Sequence, residues 1–321
     1  MYKVGIVSTS FIVDEFMKAC VLESRINVTS LYSQNQFACK MTDKHNIKSL
    51  YTSYEEFLKS DIDIVYVASA NVAHFEQASL AIEYGKHVLV EKPMCLSKNQ
   101  VIELYDLAKK NNVFIMEAMT ILSLPNLKNL KNLVKRIGDI KHVKLNMLQQ
   151  TRHYESYLKG HYFNVFDIKK GGGAFYDLGC YLVYPTLYLF GNPKEIHNFP
   201  VVNKNHADTT VCSIFRYDGF DISINASKVC YDPSNSVICG DGGTIEIKGI
   251  SEMSVITLYD TKGNIIEVYE KQDIPRMLPE INHFCDILDA NKVESQLYTQ
   301  KLAVDVITII SEMKRENIWK Y

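Results

Sequence analysis

The chain has 321 residues, 47% apolar and 22% charged, with 35 lysines and arginines against 37 acidic residues. That length suits two domains, each with its own core, and a formal charge of −2 supplies no field for nucleic acid or anionic lipid. No apolar run approaches the roughly 18 residues of a membrane span, so a cytoplasmic protein with neither nucleic-acid nor membrane partners is expected.

The N-terminus sets a lysine before an apolar run, as a signal peptide does, but Asp14 and Glu15 follow with no small-residue cleavage site. Eight cysteines, at 20, 39, 95, 180, 212, 230, 239 and 285, lack Cys-x-x-Cys or metal-ligand spacing. They are expected to be reduced and mostly buried, and no metal site is expected.

A buried strand is predicted over 2–7 and a helix over 11–22, joined by Ser8-Thr9-Ser10. A dinucleotide-binding domain carries G-x-G-x-x-G/A at that join, before a helix whose N-terminus faces a pyrophosphate. Here Ser8, Ser10 and Val13 hold the three positions, and serine resists the positive φ and adds bulk near the ligand. Ser8, Thr9, Ser10, Phe11 and Ile12 are nevertheless the expected cofactor loop. The second strand, 27–32, ends in Ser33-Gln34-Asn35-Gln36, without the carboxylate that an NAD-selective site sets against the ribose.

Residues 62–93 read as a βαβ unit, with strands over 64–68 and 87–90. The first strand leads into Ser69-Ala70-Asn71 and then His74, the second into Glu91-Lys92-Pro93. Pro93 ends the strand and holds Lys92 at the rim, although the tripeptide alone suits an ordinary charged strand exit equally well. A helix over 98–111 and a strand over 113–116 follow, ending in Glu117. Five strand ends then place Ser8, Ser33, Ser69, Glu91 and Glu117 along the carboxyl edge of one parallel sheet, where open α/β folds bind ligands.

The pattern changes beyond a helical stretch at about 119–136. A strand over 141–149 and a helix over about 174–189 precede strands at 194–200, 209–217, 220–229, 235–239, 244–248, 253–259 and 265–269. Helices at about 276–290 and 298–316 close the chain. The expected class is α/β, with a doubly wound parallel sheet in 1–119 and a large, mainly antiparallel open sheet in 120–321.

Residues 171–181 place three glycines ahead of a helix carrying Asp177 and Tyr181, four apart and so on one face. Glu91-Lys92-Pro93 in the first domain, with Gly171-Gly172-Gly173-x-x-x-Asp177-x-Gly179-x-Tyr181 heading the second, resembles the glucose-fructose oxidoreductase, inositol dehydrogenase and rhizopine-catabolism family. Ala68-Ser69-x-Asn71-x-x-His74, Gly85-Lys86-His87-Val88, Met116-Glu117-Ala118 and Asp208-Thr209 extend the resemblance over nearly the whole chain.

The resemblance implies a Rossmann domain and hydride transfer between NADP or NAD and a carbinol of a sugar, polyol or dihydrodiol. It makes Lys92, Asp177 and Tyr181 the catalytic set, with Tyr181 in the acid/base position of the dihydrodiol dehydrogenase-like branch. Ser33, Gln34, Ser69, Ala70, Asn71, His74, Glu91, Lys92 and Glu117 join the Ser8–Ile12 loop as cofactor contacts. A homodimer or homotetramer through the second sheet is also implied. The chemistry is coherent, since a lysine ammonium beside a phenol favours phenolate and makes the pair a workable proton relay. The rival is a non-catalytic binding or regulatory protein that keeps the fold, resting on the altered fingerprint.

Overall fold

Val4, Ile6 and Val7 are buried along Tyr2–Val7 (β1), as a strand covered on both faces requires. The chain continues through Phe11–Cys20 (α1), Ile26–Tyr32 (β2), Ala38–His45 (α2), Ser49–Tyr51 (β3), Tyr54–Lys59 (α3) and Ile64–Val67 (β4). His74–Glu83 (α4), His87–Glu91 (β5), Lys98–Lys110 (α5) and Ile115–Ala118 (β6) follow. The six strands form one sheet in the order β3-β2-β1-β4-β5-β6, with every pair parallel. From β1 the chain passes by α1 to β2 in one direction, and from β4 by α4 to β5 in the other. Right-handed crossovers therefore put the two helices on opposite faces. The expected doubly wound sheet is present, with its topological switch between β1 and β4. It has six strands where five are legible, because three-residue β3 carries an exposed Leu50 and no apolar alternation.

This computed structural model describes residues 1–161, 163–312 and the backbone of 319–320. It divides into two units, Met1–Ser123 with Ile274–Val304, and Leu124–Asp273 with Asp305–Tyr321.

The second unit begins at Pro125–Val134 (α6), with proline in the first turn where its missing N–H costs nothing. Ile140–Leu148 (β7) and Tyr154–Leu158 (α7) precede a π-helical segment, Phe175–Gly179, that runs straight into Cys180–Phe190 (α8). Strands Glu195–Val202 (β8), Asp208–Arg216 (β9), Asp221–Ser227 (β10), Ser236–Gly240 (β11), Thr244–Lys248 (β12), Val255–Tyr259 (β13), Ile265–Glu270 (β14) and Trp319–Lys320 (β15) complete it. With β7 they form a nine-stranded sheet, β14-β13-β12-β11-β7-β10-β9-β8-β15. Only the β7–β10 and β8–β15 pairs are parallel.

Register aligns buried side chains in one row across this sheet, Phe215–Ile222–Val143–Ile238–Ile245–Leu258. The row forms one apolar face by strand alternation, and α6 and α8 pack against the sheet. The opposite face carries Phe199, 44% exposed, with Cys212, Ile214, Val237 and Cys239.

A single break at 119/120 does not describe this chain. Leu278–Asp289 (α9) belongs to the first unit and packs beside α1. Arg25 Nη1 donates to Asp286 at 2.6 Å and Asp289 at 3.0 Å, the Tyr2 hydroxyl donates to Asp289 at 3.0 Å, and Phe284 lies 4.9 Å from Phe114, centroid to centroid. The final helix is described over Gln300–Glu312 (α10), and 313–316 of the expected 298–316 lie outside the described residues. All eight cysteines are free thiols, but only Cys20, Cys95, Cys180 and Cys285 are buried, so "mostly buried" gives way to half. No helix among the described residues is long and apolar enough to cross a membrane.

Candidate active site

At the switch between β1 and β4, Ser8 has φ +111, in the left-handed half of conformational space that glycine occupies without strain. Local bonds hold it there. Its N–H donates to Tyr32 O at 3.1 Å, and its hydroxyl accepts from the Ser10 N–H at 3.1 Å. Ser10 sits at the N-cap of α1 but its side chain does not cap the helix; instead its hydroxyl donates to Ala68 O at 3.0 Å, tying the loop to the end of β4. Asp14, an acid in the first turn of α1, is held by Lys44 at 2.6 Å and His45 at 2.7 Å. The Lys44 bond, then His45, keeps its carboxyl below the usual range.

Neighbouring strand ends supply the other rim residues. Ser33 is buried, and its hydroxyl accepts from the Asn35 N–H at 3.1 Å, while Gln34 is exposed. The Asn35 amide reaches Thr9 Oγ1 at 3.3 Å, a link between the first two loops that was not foreseen. Phe11 is 64% exposed and Ile12 half-buried. Ser69 donates to Gln77 Oε1 at 2.6 Å, Ala70 is exposed, and Asn71 opens a short 3₁₀ turn. Lys92 is half-buried at the end of β5, joined to Pro93 by a cis peptide.

Three residues expected to touch a cofactor are turned inward. His74 is 1% exposed, with Nδ1 2.9 Å from Pro93 O and Nε2 3.2 Å from Ser69 O, so it straps the β4 exit to the β5 exit. Burial holds its imidazole below the ordinary value, and a neutral ring donates to only one of these carbonyls. Glu117, 5% exposed, accepts the Met94 N–H at 3.0 Å. Glu91 accepts the hydroxyl of buried Tyr66 at 2.6 Å and the Lys92 N–H at 3.2 Å. Burial pushes the Glu91 carboxyl up, against the Tyr66 bond and the charges of Lys92 and Arg276. Deeper in the same unit Glu280 is fully buried and accepts the Thr120 hydroxyl at 3.1 Å. Its Oε2 has no hydrogen-bond partner among the described residues.

In the second unit Gly172 and Gly173 pack against their own surroundings. A Cβ on Gly172 would lie 2.2 Å from Asn164 O, and one on Gly173, where φ is +128, would lie 2.3 Å from Asp208 Oδ1. That close approach lets buried Asp208 accept the Phe175 N–H at 2.7 Å, anchoring the start of the π segment. The expected α-helix over 174–189 thus begins as a wider-wound turn, a form frequent at functional sites. Asp177 lies on that turn and Tyr181 on the first turn of α8, with Tyr181 7% exposed.

Sequence reasoning missed Lys228. It follows β10 directly, is 3% exposed, donates its N–H to Thr209 O at 2.9 Å, and forms an ion pair with Asp177 Oδ2. The expected strand over 220–229 includes this lysine without marking it out, and only its burial reveals it. Half-buried His153 stacks on Phe163 at 4.3 Å, and its imidazole is held low by burial and then by the charges of Arg152 and Lys228.

Residues 2–119 match the model of an oxidoreductase family with an NAD-binding Rossmann fold, and residues 128–246 match the GFO/IDH/MocA C-terminal domain. The chain is 30% identical over 318 residues to a scyllo-inositol 2-dehydrogenase (NADP(+)) of Bacillus subtilis, covering 98% of this chain and 97% of that protein. It is 31% identical over 258 residues to a trans-1,2-dihydrobenzene-1,2-diol dehydrogenase of Xenopus laevis, covering 76% and 74%. Among solved structures, a 3-ketoreductase from Actinomadura kijaniata in complex with TDP-benzene and NADP shares the fold at TM-score 0.84 and 17% identity, covering 99% and 98%. A levoglucosan dehydrogenase in complex with NADH and levoglucosan does so at 0.85 and 16%, covering 98% and 96%. With an expected Rossmann domain, a matching second domain and a relative 30% identical along almost the full length, this chain belongs to the GFO/IDH/MocA family of NAD(P)-dependent oxidoreductases.

Proposed function

We propose that the protein transfers hydride between NADP or NAD and a carbinol of an uncharged polyol, sugar or dihydrodiol. The observation that carries this is the β1–α1 loop at the topological switch, where Ser8 takes the left-handed conformation and the Ser10 hydroxyl is turned away from the helix N-terminus. Such a loop fits a pyrophosphate, which N-terminal helix amides bind. Ser8, Thr9, Ser10, Phe11 and Ile12 would hold that group, with Ser69, Ala70 and Asn71 beside it and Ser33 and Gln34 toward the ribose. When bound, the nicotinamide ring supplies the hydride acceptor or donor. Lys92 and Tyr181 handle the hydroxyl proton, and Asp177 accepts a hydrogen bond from a substrate hydroxyl. His74, Glu91 and Glu117 hold the strand exits rather than touch ligand, in keeping with the burial of His74 and Glu117 and with the bonds of half-buried Glu91 to Tyr66 and the Lys92 N–H.

The experiment is a turnover panel of scyllo-inositol, trans-dihydrobenzenediol and levoglucosan with NADP⁺ and NAD⁺. These are the chemistries named for the relatives and the structural neighbour. Turnover of at least one polyol is expected, with NADP⁺ accepted at least as well as NAD⁺, since Ser33-Gln34-Asn35-Gln36 presents no carboxylate to repel a 2′-phosphate. Tenfold tighter binding of NADH than NADPH would overturn the cofactor reading, and no turnover across the panel would overturn the substrate reading.

The two loop serines should respond differently to glycine. Ser8→Gly relieves backbone strain of about 1–3 kcal/mol but gives up the hydroxyl that accepts the Ser10 N–H, about 1 kcal/mol, and adds an entropic cost of about 0.5–1 kcal/mol. It is expected to leave the melting temperature close to wild type and to tighten NADPH binding, because the side chain no longer stands beside the pyrophosphate position. Ser10→Gly deletes the bond to Ala68 O, so stability should fall by about 1 kcal/mol. Melting curves and calorimetry with NADPH test both, and weaker binding in Ser8→Gly would contradict the steric argument.

The exposed sheet face with Phe199, Cys212, Ile214, Val237 and Cys239 supports assembly with a second copy, as dimer or tetramer; a monomer at micromolar concentration in sedimentation would remove that proposal. Three exposed thiols, Cys39, Cys212 and Cys230, suit the reducing cytoplasm. A disulfide found by mass spectrometry in protein taken from cells would argue against it.

A further inference from the structure

We propose that Lys228 is a positioning residue for the hydride-transfer reaction, its buried ammonium fixing the orientation of the Asp177 carboxylate through an ion pair so that the exposed part of Asp177 meets a substrate hydroxyl already aligned. This rests on the reading of Asp177 as the substrate-orienting group. The pair is unequal. The Lys228 side chain is 4% exposed and that of Asp177 40%. An ammonium withdrawn from water to that degree is tolerated only when paired, so Lys228 has a strong and directional demand on one carboxylate oxygen. Asp177 meets that demand while keeping part of its side chain open.

Both partners stand on anchored backbone. Lys228 is fixed by its N–H bond to Thr209 O at the end of β10, and the turn bearing Asp177 by the Phe175 N–H bond to Asp208. A dipole held this way needs little rearrangement when substrate arrives, which is the condition for effective electrostatic preorganisation. With one oxygen engaged by the Lys228 ammonium, the Asp177 carboxylate is an acceptor, suited to a hydrogen bond from an uncharged polyol and leaving proton transfer to Tyr181.

Initial rates are to be measured on the polyol of the panel turned over fastest, for wild type, Lys228→Met, Lys228→Arg, Asp177→Asn and the Lys228→Met/Asp177→Asn double variant. NADPH titration and melting curves accompany each. In Lys228→Met, KM for the polyol should rise at least tenfold, with a smaller fall in kcat and an NADPH Kd within twofold of wild type. Lys228→Arg should recover most of the lost kcat/KM, and the double variant should be no worse than Asp177→Asn. Unchanged kinetics in Lys228→Met beside an impaired Asp177→Asn would sink the positioning role alone. Equal impairment in Lys228→Arg and Lys228→Met, with matching losses of melting temperature, would also sink it by making the role structural. Unimpaired Asp177→Asn would instead remove the parent reading.

Discussion

Tyr181→Phe is expected to lower kcat about 10³-fold, within the range that a positioned general acid or base contributes. Phenylalanine preserves the ring of this 7%-exposed side chain and removes only the hydroxyl, so the fold and the NADPH Kd should survive. Lys92→Ala should cost a similar factor. If the two groups act on one proton, the double variant will be little worse than the poorer single, because removing either member already disables the unit. Single-turnover measurements with cofactor saturating isolate the chemical step. Turnover within threefold of wild type in Tyr181→Phe would assign the tyrosine to packing and leave the proton to another group.

Glu280→Gln should change how stability depends on pH. Burial, reinforced by the nearby Glu91 charge and opposed by Arg276 and the Thr120 bond, pushes the Glu280 carboxyl up to about 8 from an ordinary 4.5. Between those values the folded state holds a proton that the unfolded chain releases. The stability this gives is complete below about 4.5, declines as pH rises, and is gone above about 8. At about 1.4 kcal/mol per pH unit the loss is on the order of 5 kcal/mol for this fully buried group. Glutamine is neutral in both states and can still accept the Thr120 hydroxyl, so the variant should not show this decline. Thermal melts from pH 5 to 9 are expected to diverge, wild type falling several degrees further than Glu280→Gln. Parallel curves would mean that Glu280 is ionised in the folded protein at neutral pH.

The strands were legible because their buried faces impose a period. β1, β2, β4 and β5 end within one or two residues of the expected places, and the polar residues after them lie at the sheet's carboxyl edge. The chemistry of those residues was less legible. Serine by its nature resists positive φ, yet the amide and hydroxyl bonds of Ser8 hold it there, which rests on Tyr32 and Ser10 being in register. His74 and Glu117 fall in the chain where ligand contacts are expected; their orientation depends on Pro93 and Met94, which only the folded loop brings near. The π turn has no sequence signature distinct from an α-helix, and Lys228 and Glu280 look like solvated charges until burial is known. The altered fingerprint, which supported a non-catalytic rival, therefore concerns residue identity more than backbone shape.

The return of Ile274–Val304 to the first unit has a consequence for synthesis. A ribosome finishes the six parallel strands once Ala118 has emerged, but α9, with Asp286, Asp289 and Phe284 for Arg25, Tyr2 and Phe114, is made some 160 residues later. Domains generally fold as they emerge, N-terminal first. Here the nascent parallel sheet must wait, with the side of α1 that α9 will cover still bare, while β7 to β14 of the second sheet are translated. The first unit is thus completed late, although its strands are made first. A fragment stopped near residue 123 would retain every strand of the Rossmann sheet and still lack the helix that closes it.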